Sequence, residues 1–116
     1  MIVRKIDEMF RGWFIGDFEP SIYKTKEFEV GYLLHKKDEV WKAHYHAVGT
    51  EVNYLIRGKM ILRNVEFENK MQDVELNTGD LFVLYPNEIA DPIFLEDCEF
   101  IVVKFPSLPN DKYTVE

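Results

Sequence analysis

Short apolar runs broken by polar turn residues occupy most of this chain. The runs cover residues 28–35, 40–46, 51–57, 60–67, 71–76, 81–85 and 100–105. Residues 36–39 and 68–70 suit turns, and Asn77-Thr78-Gly79-Asp80 is the strongest turn signal in the chain. Short strands at regular spacing, each bounded by turn residues, are typical of an all-β sandwich or barrel.

Helix signals are weak. Within residues 2–11 the apolar positions Ile2, Ile6, Met9 and Phe10 fit one short helix or turn. After the last strand, two prolines and a polar end predict an extended C-terminal tail. Roughly eight strands in a chain of this length fit a small double-sheet jelly-roll barrel.

Composition limits the class of protein. The length of 116 residues predicts one domain, residues 1–116, and a hydrophobic content of 47% is ample for a core. A net charge of −7 without a basic patch argues against nucleic-acid binding, and no apolar run approaches the roughly 20 residues that span a bilayer. The single cysteine, Cys98, and an N-terminus without an apolar signal core predict a cytoplasmic protein.

The chemistry of the chain concentrates in His44-Tyr45-His46, followed by Glu51 and Gly58, a pattern of H-x-H-x4-E-x6-G. Two histidines at i and i+2 of a strand point to the same face. A hairpin after residues 47–50 would bring the Glu51 carboxylate back beside both rings. Two imidazoles and one carboxylate on one side of a metal leave its other side open, as many metalloenzymes require. The pattern predicts a divalent metal site, and a metal-free site in which a histidine acts as acid or base is the alternative.

Side-chain parity predicts the surroundings of this cluster. Asn53 and Arg57 share parity with Glu51, so both are candidates for lining a cavity, although Arg57 adjoins a turn where exposure is normal. Tyr54 has the opposite parity and is expected to face outward. His35 ends a strand beside two lysines, and we expect it to be exposed.

His44, His46, Glu51 and Gly58 resemble the first motif of the cupin superfamily. Gly79-Asp80, the strand after it and Pro86 resemble the start of the second motif, so that the resemblance covers roughly residues 28–105. It implies a jelly-roll barrel whose two histidines and glutamate bind a metal ion.

The second motif departs from the family pattern. Cupins usually carry a further histidine ligand five residues after the proline, where this chain has Asp91, and a glycine where it has Glu88. The resemblance makes Asp91 a candidate fourth metal ligand, an acid or base, or a residue that only bonds the turn. Glu88 and Asp91 are the candidate catalytic bases.

The resemblance implies an enzyme that acts on small molecules. The substrate would be a small anionic or hydroxylated metabolite, and the reaction an isomerisation of a sugar phosphate or sugar nucleotide, or a dioxygenation. The cofactor would be Fe, Mn, Zn or Ni. A metal-independent sugar-nucleotide isomerase or epimerase, and a non-catalytic ligand-binding protein, are the alternatives.

The two ends of the chain carry a finer resemblance. Residues 11–20 and 104–113 look like segments of uncharacterised small cupins that often occur among sugar-nucleotide and surface-polysaccharide functions. We also expect a homodimer, because small cupins often pair edge strands. The N-terminal aromatic segment, residues 10–28, is the candidate interface.

Overall fold

The computed structural model describes residues 1–115, and its regular structure is almost entirely β. A 3-10 turn at Ile6–Glu8 precedes the strands, and no helix in residues 1–115 is long and apolar enough to cross a membrane. The strands are β1 (Trp13–Gly16), β2 (Tyr23–Lys24), β3 (Glu29–His35), β4 (His44–Tyr45), β5 (Thr50–Arg57), β6 (Lys59–Phe67), β7 (Lys70–Asn77), β8 (Leu81–Leu84), β9 (Pro92–Phe94), β10 (Cys98–Phe105) and β11 (Tyr113–Thr114).

Two larger sheets and one strand pair make up the barrel. One sheet has six strands in the order β2-β1-β3-β10-β5-β8, the other has the order β7-β6-β9, and β11 pairs with β4. Buried side chains from both larger sheets form a single core cluster: Leu55, Met60, Leu62, Leu76, Leu84, Ala90, Phe94, Cys98, Phe100 and Val102. The predicted all-β, double-sheet jelly roll with a short N-terminal turn is confirmed.

The inner face of the six-stranded sheet changes from apolar to charged along its strands. Because alternate residues share a face, the cross-strand register aligns inner side chains in rows over β3, β10, β5 and β8. The rows are Leu33–Phe100–Leu55, then Gly31–Val102–Asn53–Phe82, then Glu29–Lys104–Glu51–Leu84. The polar site therefore lies at one end of a cavity whose other end is apolar.

Gly58 illustrates why the motif ends in a glycine. Its φ is +127°, which L side chains rarely adopt, and a Cβ there would lie 2.7 Å from the Cys98 Sγ atom. The turn between β5 and β6 can therefore pack directly against the start of β10.

Several predicted elements match the structure and others differ in extent. The β6–β7 hairpin closes at Glu68 and Asn69, both left-handed, as the turn signal indicates. The run at residues 40–46 forms only the short strand β4. This strand pairs with the C-terminal strand β11 and lies outside the two larger sheets. The extended tail is thus partly a strand. The sequence pattern did not predict the strands β1, β2 and β9.

Candidate functional site

A cavity of about 1130 Å³ opens between the sheets, and its lining is sharply divided in character. The apolar part includes Leu33, Met60, Leu62, Phe82, Phe94 and Phe100. The polar part includes His44, His46, Glu51, Asn53 and Lys104. All three residues of the predicted metal cluster line this one cavity.

His44 and His46 reach the cavity from β4 and the residue that follows it. His44 forms a two-way backbone bridge with Ala90: its N–H donates to the Ala90 carbonyl at 3.0 Å and its carbonyl accepts from the Ala90 N–H at 2.7 Å. The two imidazole centroids are 5.6 Å apart with nearly perpendicular planes. The i, i+2 spacing has therefore placed both rings side by side.

Glu51, near the start of β5, lies beside His46. The Glu51 Oε2 atom is 3.1 Å from His46 Nε2, and Glu51 Oε1 accepts a hydrogen bond from Asn53 Nδ2 at 3.1 Å. On its other side the His46 ring donates its Nδ1–H to the backbone carbonyl of Asp111. A neutral imidazole with its proton on Nδ1 presents only a lone pair at Nε2. Two acceptors then face each other at 3.1 Å, so the pair requires a proton or a metal ion between them.

The ionisation of the cluster suits ligand chemistry. Burial opposes ionisation of Glu51, but the hydrogen bond and charge of His46, with the amide of Asn53, hold the pKa of this carboxyl below its ordinary value. Burial, followed by the nearby charge of Lys112, lowers the pKa of His44. The site therefore presents an ionised carboxylate and a neutral His44 near neutral pH.

A second charged pair lies beside the cluster. The Lys104 ammonium is 2.7 Å from Glu29 Oε1, and Ser107 Oγ donates to Glu29 Oε2 at 2.7 Å. Lys104 is the direct cross-strand neighbour of Glu51. Sequence reasoning missed this pair, although the parity of β3 and β10 could have placed both charges on the inner face.

Asp111 ties the C-terminal tail to the cluster. Its carboxylate accepts backbone N–H bonds from Ala47 at 3.0 Å, from Val48 at 3.2 Å and from Gly49 at 2.8 Å. Burial raises the pKa of this carboxyl, but the three N–H bonds outweigh it and hold the pKa below its ordinary value. No pattern in the sequence points to this residue.

The prediction that His35 is exposed is wrong. Its side chain is 17% exposed, stacks on Phe94 with centroids 4.6 Å apart, and donates from Nδ1 to Glu39 Oε2 at 2.7 Å. The Trp41 indole N–H donates to the same carboxylate. His35 shares parity with Leu33 on β3, which turns it into the cavity, and the two lysines after it belong to the turn.

Glu88 and Asp91 are not brought to the cluster. The Asp91 carboxylate is bonded to Arg63, with Oδ1 and Nη2 2.7 Å apart. Its neighbour Ala90 is the residue of this segment that faces the cavity, and Glu88 and Asp91 are not among the lining residues. Alternation explains the placement of Asp91, since the inward position falls on Ala90. Glu88 has the same parity as Ala90 but belongs to the turn before it, where its N–H donates to the Tyr85 carbonyl, so alternation does not apply to it.

Asn53 and Arg57 share strand parity, but the structure places Asn53 in the cavity and Arg57 in solvent, as the turn beside Arg57 led us to expect. Asn53 is 4% exposed and lines the cavity, as predicted. The Arg57 side chain is 75% exposed and lies 3.7 Å from Glu99 on the outside of the sheet. The β5–β10 register shifts between Glu99 and Phe100, which breaks the alternation just before Arg57.

The donor atoms are only partly converged. Within residues 1–115, no three His, Cys, Asp or Glu side chains stand in an arrangement that could hold a metal ion without adjustment. His46 and Glu51 face each other closely, whereas the His44 Nδ1 atom lies 3.4 Å from the Lys42 carbonyl.

The sequence matches no protein-family model and no curated protein. Solved structures, by contrast, are clearly similar. An uncharacterised conserved protein with a double-stranded β-helix domain from Klebsiella pneumoniae has a TM-score of 0.68 at 16% identity, over 98% of this chain and 91% of that one. A cupin-2 domain protein from Shewanella frigidimarina has a TM-score of 0.53 at 20% identity, over 71% of this chain and 74% of that one.

Oxalate decarboxylase from Bacillus subtilis has a TM-score of 0.66 at 18% identity. The match covers 78% of this chain but only 24% of the decarboxylase, so this chain spans about a quarter of that protein. Together with the jelly-roll topology and the inward-facing His44, His46 and Glu51, these likenesses show that the chain has the cupin fold.

Proposed function

We propose that the cavity binds a divalent metal ion through His46, Glu51 and His44, and acts with it on a small anionic or hydroxylated metabolite. The observation that carries the proposal is the 3.1 Å approach of His46 Nε2 to Glu51 Oε2, two atoms that are both acceptors when the proton of a neutral His46 is on Nδ1. Their arrangement is unfavourable unless a positive charge lies between them.

The spacing of this pair fits two ligands of one ion. Zinc-type ions bind imidazole nitrogen and carboxylate oxygen at about 2.1 Å, so two such atoms roughly at right angles are about 3 Å apart. The observed separation is 3.1 Å. His44, whose ring adjoins that of His46, supplies the third donor after reorientation. A pair of imidazoles with one carboxylate accepts Fe, Mn, Zn or Ni, and the donor set by itself does not choose among them.

Neighbouring residues orient the side chains of His46 and Glu51. The Asp111 carbonyl holds the proton of His46 on Nδ1, and Asn53 fixes the orientation of the Glu51 carboxylate. When bound, the ion would supply Lewis acidity toward a carbonyl, hydroxyl or carboxylate oxygen. Lys104, the cross-strand neighbour of Glu51, is paired with Glu29, so the two carboxylates outnumber the one ammonium and the site favours a bound cation. Oxalate decarboxylase, which shares this fold, is named for a small dicarboxylate substrate of the same general class.

Elemental analysis of tag-free protein, followed by calorimetric titration with Mn²⁺, Fe²⁺, Zn²⁺ and Ni²⁺, tests the proposal. We expect near-stoichiometric binding of at least one ion in the wild-type protein, and its loss in His44→Ala and Glu51→Ala. His35→Gln is the matched control, since that histidine lies in the cavity but is engaged with Glu39. Failure of the wild-type protein to take up any of the four ions would refute the metal site.

A metal-free acid–base site is the second candidate, and the incomplete convergence of the three side chains favours it. In that case the charge between His46 Nε2 and Glu51 Oε2 is a proton. The pair would then pass it to or from a sugar-nucleotide substrate as general acid and base. Turnover of a sugar-nucleotide panel that is unchanged in excess chelator would support this candidate, and turnover that depends on an added metal would refute it.

A further inference from the structure

We propose that Asp111 is a positioning residue for His46, and that it makes the C-terminal segment, residues 107–115, a working part of the site. Only the expected effect on metal affinity rests on the proposed function. The orientation of the His46 ring by Asp111 is the same whether a metal or a proton occupies the space beside Nε2.

Asp111 acts on His46 through its backbone. Its carbonyl accepts the Nδ1–H of His46, and His46 is only 8% exposed, so bulk water competes little for this bond. The bond fixes the ring orientation and leaves Nε2 facing Glu51. A hydrogen bond on the far nitrogen of a histidine is the ordinary means by which proteins orient a metal-binding or catalytic imidazole.

Asp111 acts on the rest of the site through its side chain. The carboxylate binds three consecutive backbone N–H groups of residues 47–49, which connect His46 to the strand that carries Glu51. The residue is itself 8% exposed. One residue therefore holds the histidine with its carbonyl and the connection between both site residues with its carboxylate.

The C-terminal segment is bonded to the rest of the protein on either side of Asp111. On the upstream side Ser107 is 2% exposed, donates its N–H to the Lys26 carbonyl at 3.0 Å and accepts the Asp17 N–H at 2.9 Å. On the downstream side the Tyr113 ring stacks on Tyr45 with centroids 5.4 Å apart, within the β4–β11 pair.

The test compares Asp111→Ala and Asp111→Asn with Asp73→Ala. Asp73 is a matched control because it also accepts a backbone N–H, from Asn64 at 2.9 Å, but lies in the β6–β7 hairpin. The first readout is the His46 Nδ1–H proton resonance in metal-free, ¹⁵N-labelled protein. The second is the dissociation constant for Zn²⁺ and Mn²⁺, measured by calorimetry.

We expect wild-type protein and Asp73→Ala to show a slowly exchanging His46 Nδ1–H resonance that is lost in Asp111→Ala. That variant keeps the backbone carbonyl but removes the carboxylate that holds residues 47–49, and with them His46, against it. The metal dissociation constant should rise about 10- to 100-fold in Asp111→Ala, the usual effect of removing a group that orients a metal ligand. Asp111→Asn retains one acceptor oxygen, so it should show a weakened resonance and an intermediate affinity.

A wild-type resonance in folded Asp111→Ala would overturn the proposal. If that variant does not fold, Asp111→Asn decides: an unchanged resonance overturns the proposal and a weakened one supports it. If wild-type protein binds neither these two ions nor Fe²⁺ or Ni²⁺, the proposed metal function fails, while the resonance experiment still decides the role of Asp111.

Discussion

Lys104 and Glu29 form an ion pair at 2.7 Å on the inner wall of the barrel, one strand away from Glu51. Their side chains are 12% and 10% exposed, so both charges are largely removed from water. The charge of Lys104 is thus neutralised by Glu29, although Lys104 lies directly across from Glu51 in the β5–β10 register. The pair holds together β3 and β10 at the polar end of the cavity.

Breaking this pair should cost more than breaking an exposed one. Lys104→Met leaves Glu29 buried without its partner charge, and we expect the free energy of unfolding to fall by about 3–5 kcal/mol. The double variant Glu29→Gln/Lys104→Met should lose less, because no uncompensated charge remains. Urea denaturation at neutral pH measures both. Lys59→Met is the control, since Lys59 and Glu75 form an exposed pair whose loss should cost less than about 1 kcal/mol. Equal losses in Lys104→Met and Lys59→Met would contradict the prediction.

The sequence predicted the barrel and the members of the cluster because both depend on local periodicity. His44 and His46 needed only the alternation of one strand, and Glu51 needed only a short return of the chain. What could not be predicted depends on contacts between distant segments. Asp111 reaches residues 47–49 from more than sixty positions along the chain, and no pattern in the tail points to it.

His35 and Arg57 show two further limits of predicting side-chain exposure from the local sequence. The exposure of His35 was judged from its lysine neighbours, whereas its strand parity and the aromatic ring of Phe94 decided its burial. Alternation alone would turn Arg57 toward the cavity, but it adjoins a turn, where exposure is normal, and a register shift in β5 that the sequence does not signal places it outside.

The stability of the protein should fall as the pH drops into the acid range. The ordinary pKa values of Glu51 and Asp111 are 4.5 and 3.8, and the folded state lowers both. The unfolded chain therefore binds these protons at higher pH than the folded protein, so stability is complete above about 4.5 and declines as the pH falls through the folded pKa values. Urea denaturation across this range should show a shallower decline for Asp111→Asn than for wild type. Parallel curves would mean that Asp111 does not contribute.

The Asp91 carboxylate should be dispensable for metal binding. It pairs with Arg63 and lies away from the lining of the cavity, although the sequence makes it a candidate fourth ligand. We expect Asp91→Ala to leave the metal dissociation constant within about twofold and the unfolding free energy within about 1 kcal/mol of wild type. Glu51→Ala, measured in parallel, should abolish binding. A large loss of affinity in Asp91→Ala would show that the segment rearranges to supply a ligand.

Glu39 should stabilise the apolar end of the cavity. Its carboxylate accepts bonds from the His35 ring, from the Trp41 indole and from the Lys36 backbone N–H. Glu39→Gln replaces these charge-assisted bonds with weaker ones, so we expect a loss of about 1–3 kcal/mol in the unfolding free energy. Glu27→Gln, at an exposed glutamate, is the control. A loss in Glu39→Gln no larger than in the control would contradict this role.

The outer face of the six-stranded sheet is unusually apolar. Two complete cross-strand rows consist of apolar or aromatic residues: Tyr32–Ile101–Tyr54–Leu81 and Val30–Val103–Val52–Val83. Leu81 is 72% exposed and Tyr54 is 42% exposed. We define these two rows as the outer face. A contiguous exposed apolar surface of this kind typically marks an interaction site.

We predict that a second copy of the chain covers the outer face, in keeping with the homodimer expected from the sequence. Arg57 and Glu99 lie 3.7 Å apart beside the apolar rows, so a two-fold arrangement can set each charge against its opposite on the other copy. The N-terminal aromatic segment, residues 10–28, stays the other candidate interface: Trp13 packs against the core cluster, whereas Phe10 and Tyr23 are exposed. Light scattering at micromolar concentration should give the mass of a dimer for wild type and of a monomer for Tyr54→Asp, since burying an unpaired carboxylate is costly. Met71→Asp, at an exposed position on β7, should remain dimeric. A monomeric wild type, or a dimeric Tyr54→Asp, would exclude the outer face as the contact between copies.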